Sequence, residues 1–262
     1  MKHEPSAVER LRDKLGPTVV ALGVALLGIH FVLLVGIRAV GSDALAAFYA
    51  DHLALSPAAL AGGRVWTLLS YGFVHDLRDP MHVLFNVLAL GFFGPDFERG
   101  RGRRALLTLL GIAVALGGVA QVTWSAWIGD GHGIVGASAG TMALLAAFCW
   151  SHPTARVLLF FVAPVPARWL LPAAVGIDLL LFLSQGGGSS GGIAFFAHLG
   201  GIAAAWALLR GWPPRLAVAR AKGWMAWARH KSGRAGPFGR PVRGFDVIQG
   251  GKANPRDPKH WN

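Results

Sequence analysis

ALLTLLGIAVALGGVAQVTWSAWI, residues 105–128, carries no formal charge. At 1.5 Å per residue it outruns the apolar core of a bilayer, about 30 Å. Upstream lies the hydrophilic turn Phe97-Glu98-Arg99-Gly100-Arg101-Gly102-Arg103-Arg104, and before that a shorter apolar run, Met81–Phe97, interrupted by His82 and Asn86. Downstream comes the Gly-rich loop Gly129–Gly136, then the apolar segments Ser138–Trp150, Leu170–Leu183 and Ile193–Leu209. The segment opening at Ser138 has an uncertain end. It either stops at Ser151-His152-Pro153, since Pro disfavours helix in the residue before it, or continues through Val157–Ala163. Near the start, Pro17–Ile37 is a further run, longer than a secretory signal core and continuing into Arg38, which favours a retained helix.

Composition agrees with this pattern. The 262 residues are 53% hydrophobic and only 15% charged, with 36 Gly and 10 Trp, and the mean hydropathy is +0.48. Soluble domains carry roughly 25% charged residues, and disorder needs low hydrophobicity with high charge. Both classes are therefore disfavoured, and the expectation is an all-α integral membrane protein of six spans. The single Cys149 excludes an intrachain disulfide and a multi-cysteine metal site.

Net charge is +12, but Lys and Arg gather at the ends and between apolar runs, as topology and lipid contact require, rather than in a nucleic-acid motif. Arg10, Arg12 and Lys14, then Arg99, Arg101, Arg103 and Arg104, then Arg156 and Arg168, and finally the tail all fall on one side. That places both termini in the cytoplasm; compactness and the Ala/Gly/Arg-rich composition, with the resemblance given below, make a bacterial inner membrane the expected location. Residues 1–16 read as a cytoplasmic N-terminal segment, 17–210 as the membrane domain, and 211–262 as a basic, partly disordered tail. The tail has eleven Lys/Arg against two Asp. Short apolar stretches in 41–80, Ala44–Tyr49 and Val65–Phe73, read as pieces lying at the membrane surface.

Polar groups at membrane depth are costly and mark function. His82 and Asn86 are four apart and share a helix face. Ser138, in Gly136-Ala137-Ser138-Ala139-Gly140, sits where a helix begins, so free N–H groups and the positive end of the dipole lie beside its oxygen. His198, in Ala197-His198-Leu199-Gly200-Gly201, has small neighbours that let another backbone approach. A serine needs an adjacent base, and His198 is the base candidate in the later helices. His82 and Asn86 are the donors available to a tetrahedral intermediate. The soluble hydrolase elbow that also carries a GxSxG string sits between a strand and a helix, and no such strand is expected here.

In order along the chain, Val65-Trp66-Thr67, Phe73-Val74-His75, His82-Val83-Leu84-Phe85-Asn86, Gly94-Pro95-Asp96-Phe97-Glu98-Arg99, Gly136-Ala137-Ser138 and Ala197-His198-Leu199-Gly200-Gly201 resemble the rhomboid intramembrane serine proteases. The resemblance covers residues 17–210. It implies a six-helix bundle, a Ser138–His198 dyad without a required acid, an oxyanion site from His82, Asn86 and the Ser138 N–H, and no metal or organic cofactor. The implied activity is a serine endopeptidase that cuts transmembrane protein substrates near the non-cytoplasmic face of the lipid bilayer. Two positions depart from the family pattern. Ala139 stands where Gly usually follows the nucleophile, so one extra methyl must be absorbed or it moves the serine. Thr67 follows the loop tryptophan where Arg is frequent.

Two other classes compete. A non-enzymatic rhomboid-like protein would hold membrane clients in the same groove, with Ala139 as its support. A small transporter would use Asp178, an intramembrane carboxylate otherwise read as protonated or near a water-filled end; no inverted repeat supports that class.

Overall fold

The computed structural model describes residues 14–159, 162–186 and 194–211. The N-terminal segment through residue 13, most of the Gly/Ser loop at 185–192 and the tail from residue 212 lie outside the described residues, as do the expectations placed on them. The described chain is mostly helical. In apolar surroundings a helix satisfies its own N–H and C=O groups, which open strands cannot do.

Helix α1 (Pro17–Leu34) starts on Pro17 and runs on as a π-helical turn, Val35–Ala39. Three short helices fill the following segment: α2 (Asp43–Phe48), α3 (Pro57–Ala61) and α4 (Thr67–Ser70). The side chains of Ser42 and Ser56 cap α2 and α3 by accepting from the Leu45 and Ala59 N–H groups. Helix α5 (Pro80–Arg101) begins on Pro80, with Asp79 accepting from the Met81 N–H at 2.9 Å. It passes through Pro95 and takes in most of the stretch expected to be a turn. Only Gly102 separates it from α6 (Arg103–Ile128), and its φ of 85° makes a one-residue reversal that a side chain would resist. Helix α7 is Ser138–Ser151, α8 is Leu170–Ser184 and α9 is Phe195–Gly211.

One element departs from the all-helical expectation. The apolar stretch after Pro153 does not extend α7. It forms an antiparallel hairpin, β1 (Arg156–Leu159) with β2 (Ala163–Pro166), pairing Val157 with Val165. Pro153 rules out continuation, and Val157, Leu158 and Val165 suit a strand.

Among the described residues, three helices are long and apolar enough to cross a membrane: Pro17–Ala39, Arg103–Ile128 and Ala167–Ser184. α7 and α9 are apolar but shorter. α6, α7 and α9 form the centre. A buried cluster of Leu55, Tyr71, Val114, Ile134, Ala139 and Ala197 joins them to the 41–80 segment. α5 packs between α1 and α7. Gly94 admits Val19 of α1, and Thr18 donates to the Glu98 carboxylate, so Glu98 ties the charged end of α5 to the bundle.

Candidate active site

Ser138 opens α7, half-buried, and the chain leading to it is held from two sides. The Gly136 N–H donates to the Tyr71 carbonyl at 2.9 Å, and the Ala137 N–H donates to His75 Nε2 at 3.3 Å. Gly136 has φ 124°, and a Cβ there would come within 2.6 Å of His82 Nε2. The glycine therefore lets the imidazole rest against the backbone two residues before the serine. As at any helix start, the Ser138 N–H lacks an intrahelical acceptor, and among the described residues no side chain supplies one.

Asn86 is buried one turn along α5 from His82. Its Nδ2 donates to the His82 carbonyl at 2.8 Å, which leaves the second amide hydrogen for another acceptor. Its Oδ1 faces the Thr141 hydroxyl at 3.2 Å, and that hydroxyl also lies 3.1 Å from the Ser138 carbonyl. Thr141 thus ties the orientation of the amide to the first turn of α7. His75 and His82 meet edge to face, ring centroids 5.1 Å apart. Burial, aided by the neighbouring His82 and His30, pushes the loop imidazole of His75 down to about 3. It is neutral there. Since Nε2 accepts from Ala137, its proton must sit on Nδ1.

His198 lies in the first turn of α9. That turn is capped from α6, where Gln121 Oε1 accepts from the Phe196 N–H at 3.1 Å and the Ala197 N–H at 3.4 Å. α9 meets α6 and α7 through backbone. A Cβ on Gly200 would stand 2.7 Å from Gly117 Cα, and one on Gly201 would collide with the Ala139 carbonyl. The extra methyl of Ala139 is accommodated at the same crossing, because Gly117 leaves the space; a Cβ at Gly117 would meet the Ala139 Cβ at 2.7 Å. His198 Nδ1 lies 2.6 Å from Asp178 Oδ2 on α8. His82 is within electrostatic reach of His198.

His82, Asn86 and Ser138 are thus gathered around one helix start, and His198 is carried by the helix pressed against the next residue, Ala139. Ser138 Oγ makes no hydrogen bond to His198 among the described residues. Sequence alone does not join Asp178, Gln121 and Thr141 to the site. Asp178 is the one charged residue of Leu170–Leu183 and Gln121 the one amide of 105–128, but spacing alone does not say which helix they face. The segment carrying Thr67 is pinned without an arginine. Trp66 Nε1 donates to the His52 carbonyl at 3.0 Å, Thr67 Oγ1 donates to the Arg64 carbonyl at 2.6 Å, and Leu55 pairs with Ile134.

The Rhomboid domain family matches residues 62–212 of this chain. The chain belongs to the rhomboid family. A relative from Arabidopsis thaliana, RHOMBOID-like protein 12, mitochondrial, is 32% identical over 181 residues, 62% of this chain and 52% of the relative. The chain thus spans about half the length of that curated protein. This rhomboid is a membrane protein in which the matched region includes the elements that hold Ser138 and His198.

Proposed function

We propose that this rhomboid is an intramembrane serine endopeptidase with Ser138 as nucleophile and His198 as base. The observation that carries the reading is the convergence of two helices on the start of α7: α5, with the His82 ring on Gly136 and the Asn86 amide held through Thr141, and α9, pressed against Ala139. His198 takes the Ser138 proton as Oγ bonds to the scissile carbonyl carbon, and the carbonyl electron pair moves onto oxygen. That oxyanion is received by the Ser138 N–H, His82 and the free amide hydrogen of Asn86. The proton then passes from His198 to the departing amine, and water activated by His198 releases the acyl group.

An apolar cavity of about 140 Å³ opens beside this point, lined in part by Phe73, Val114, Ala137, Gly140 and Thr141. It suits an apolar side chain of an unwound transmembrane substrate. Unwinding is required because a helix hides its scissile carbonyls in its own hydrogen bonds. We assign α1, α5, α6, α7, α8 and α9 as six spans of a bacterial inner membrane, with both termini cytoplasmic and the cut near the opposite face. The partners are transmembrane substrates and the bilayer itself.

A non-catalytic client-binding role is the second reading. The absent Ser138–His198 hydrogen bond favours it, although such bonds are often long before substrate arrives. Cleavage of a helix-destabilised transmembrane reporter by the purified protein, lost in Ser138→Ala, supports the protease. An intact reporter that still binds would establish the second reading.

A further inference from the structure

We infer that Asp178 is a positioning residue for His198, so that this chain works with a third, acidic member behind its Ser–His pair. The inference rests on the protease reading and adds to it a residue that the family resemblance does not supply. Asp178 is the sole carboxylate of α8, and its Oδ2 lies 2.6 Å from His198 Nδ1 with both side chains about one-sixth exposed. An ionised carboxylate in an apolar segment is costly and is kept by pairing. This one pairs with the base and with no other side chain among the described residues.

The pair sits in a register fixed by neighbouring packing. One turn along α8, Phe182 is buried against Phe195 of α9 at 5.2 Å between ring centroids and stacked. Phe182 also meets Phe196 at 5.7 Å and Trp124 of α6 at 5.9 Å. Phe182 is four residues after Asp178, and Phe195 is three before His198. On antiparallel helices those steps keep both pairs on the same facing surfaces. The aromatic rung thus sets the height at which Asp178 meets His198.

The chemical consequence follows from proton placement. A carboxylate only accepts, so it fixes the proton of neutral His198 on Nδ1. Nε2 is then the free lone pair that receives the Ser138 proton. While that proton is on Nε2, the imidazolium is stabilised by Asp178, and the Nδ1 proton stays where it is. Among the described residues the other titratable group in reach of His198 is His82 on α5; α6 and α7 bring Gln121 and Ser138, which are neutral.

The test is the rate at which a fluorophosphonate labels the purified full-length protein, measured against pH. Wild type, Asp178→Asn, Asp178→Leu and Asp178→Glu are compared at equal folded fraction, with Ser138→Ala as the unlabelled baseline. We expect Asp178→Asn and Asp178→Leu to label more slowly by on the order of 10²–10⁴. The pH midpoint of labelling should also move to lower pH in Asp178→Asn, because the negative charge beside the imidazolium is gone. Asp178→Glu, which keeps the carboxylate, should restore most of the rate and the midpoint. If Asp178→Leu does not fold, the near-isosteric Asn and the Glu variant carry the comparison. Asp178→Asn labelling at the wild-type rate, or more slowly with an unmoved midpoint, overturns the inference while leaving the protease reading intact. A folded wild type that does not label overturns both.

Discussion

Two contacts made by α9 differ in their materials. Against α6 and α7 it is gripped by backbone: Gly200 on Gly117, Gly201 on the Ala139 carbonyl, with nothing larger than a methyl between them. Against α8 it is touched by side chains, through the Phe182 rung and the Asp178–His198 pair. α8 buries only Phe182 and turns Ile177, Leu180 and Leu183 outward. Without water between helices, close packing of small residues is the main source of association in a membrane. The first contact therefore has one geometry available to it and fixes His198 relative to Ser138. The second tolerates change in its outer face while depending on one polar pair. The proposed reacting groups thus ride on the tightly packed side, and the carboxylate inferred to support them comes from the loosely packed one.

The largest effects should come from the reacting groups. Ser138→Ala and His198→Ala should each lower reporter cleavage by about 10⁴-fold or more with unchanged melting midpoints, since members of one working unit fail together. Retained cleavage in either variant would remove the unit itself. Next, Asn86→Ala and His82→Ala should reduce turnover by on the order of 10²–10³ while the substrate concentration for half-maximal rate moves little. A change confined to that concentration would mean these groups only contact substrate.

Gly201→Ala sharpens the comparison directly. Forcing a methyl against the Ala139 carbonyl should destabilise the bundle by about 1–3 kcal/mol and depress cleavage along with it. A melting midpoint equal to wild type would show that the α7–α9 crossing has slack. Acid should act on the 41–80 side of the site. The His75 pKa falls from its ordinary 6.5 to about 3 in the folded protein. Its contribution to stability is therefore complete above pH about 6.5 and is lost as pH falls toward about 3. The melting midpoint should decline over that window, and more shallowly in His75→Gln, which keeps an acceptor for Ala137. The smallest effect is expected on the outer face of α8, where Leu180→Ala should change stability by less than about 0.5 kcal/mol, because Leu180 is 69% exposed in the isolated chain.

Much of this fold was legible in the sequence because apolar runs and their breaks are local. The run Ala105–Ile128 lies within α6 (Arg103–Ile128), Leu170–Leu183 within α8 (Leu170–Ser184), and Ser138 is the first residue of α7, as its Gly-rich approach suggested. The continuation of α5 beyond Phe97 to Arg101 was less legible, because Glu98–Arg101 reads as part of a hydrophilic turn just after Pro95. A proline removes one hydrogen bond, but Gly94 packed on Val19 and the Glu98–Thr18 contact hold the axis from outside. The hairpin at 156–166 was hidden because a short apolar run suits a strand as well as a helix. His82, Asn86, Ser138 and His198 could be nominated from residue type and placement. The partner of Asp178 and the capping role of Gln121 could not, since both depend on the register between helices distant in sequence. Ala139 shows the same limit from the other side: room for its methyl is made by Gly117, twenty-two positions earlier, which no local pattern connects to it.

In the proposed mechanism the start of α7 holds an activated serine. The most direct measurement is reaction of the folded, purified protein with a fluorophosphonate, followed by peptide mapping of the adduct by mass spectrometry. One adduct is expected, on Ser138, absent from Ser138→Ala and nearly absent from an equally folded His198→Ala. An unmodified Ser138 in the folded wild type, or equal modification in His198→Ala, would contradict it.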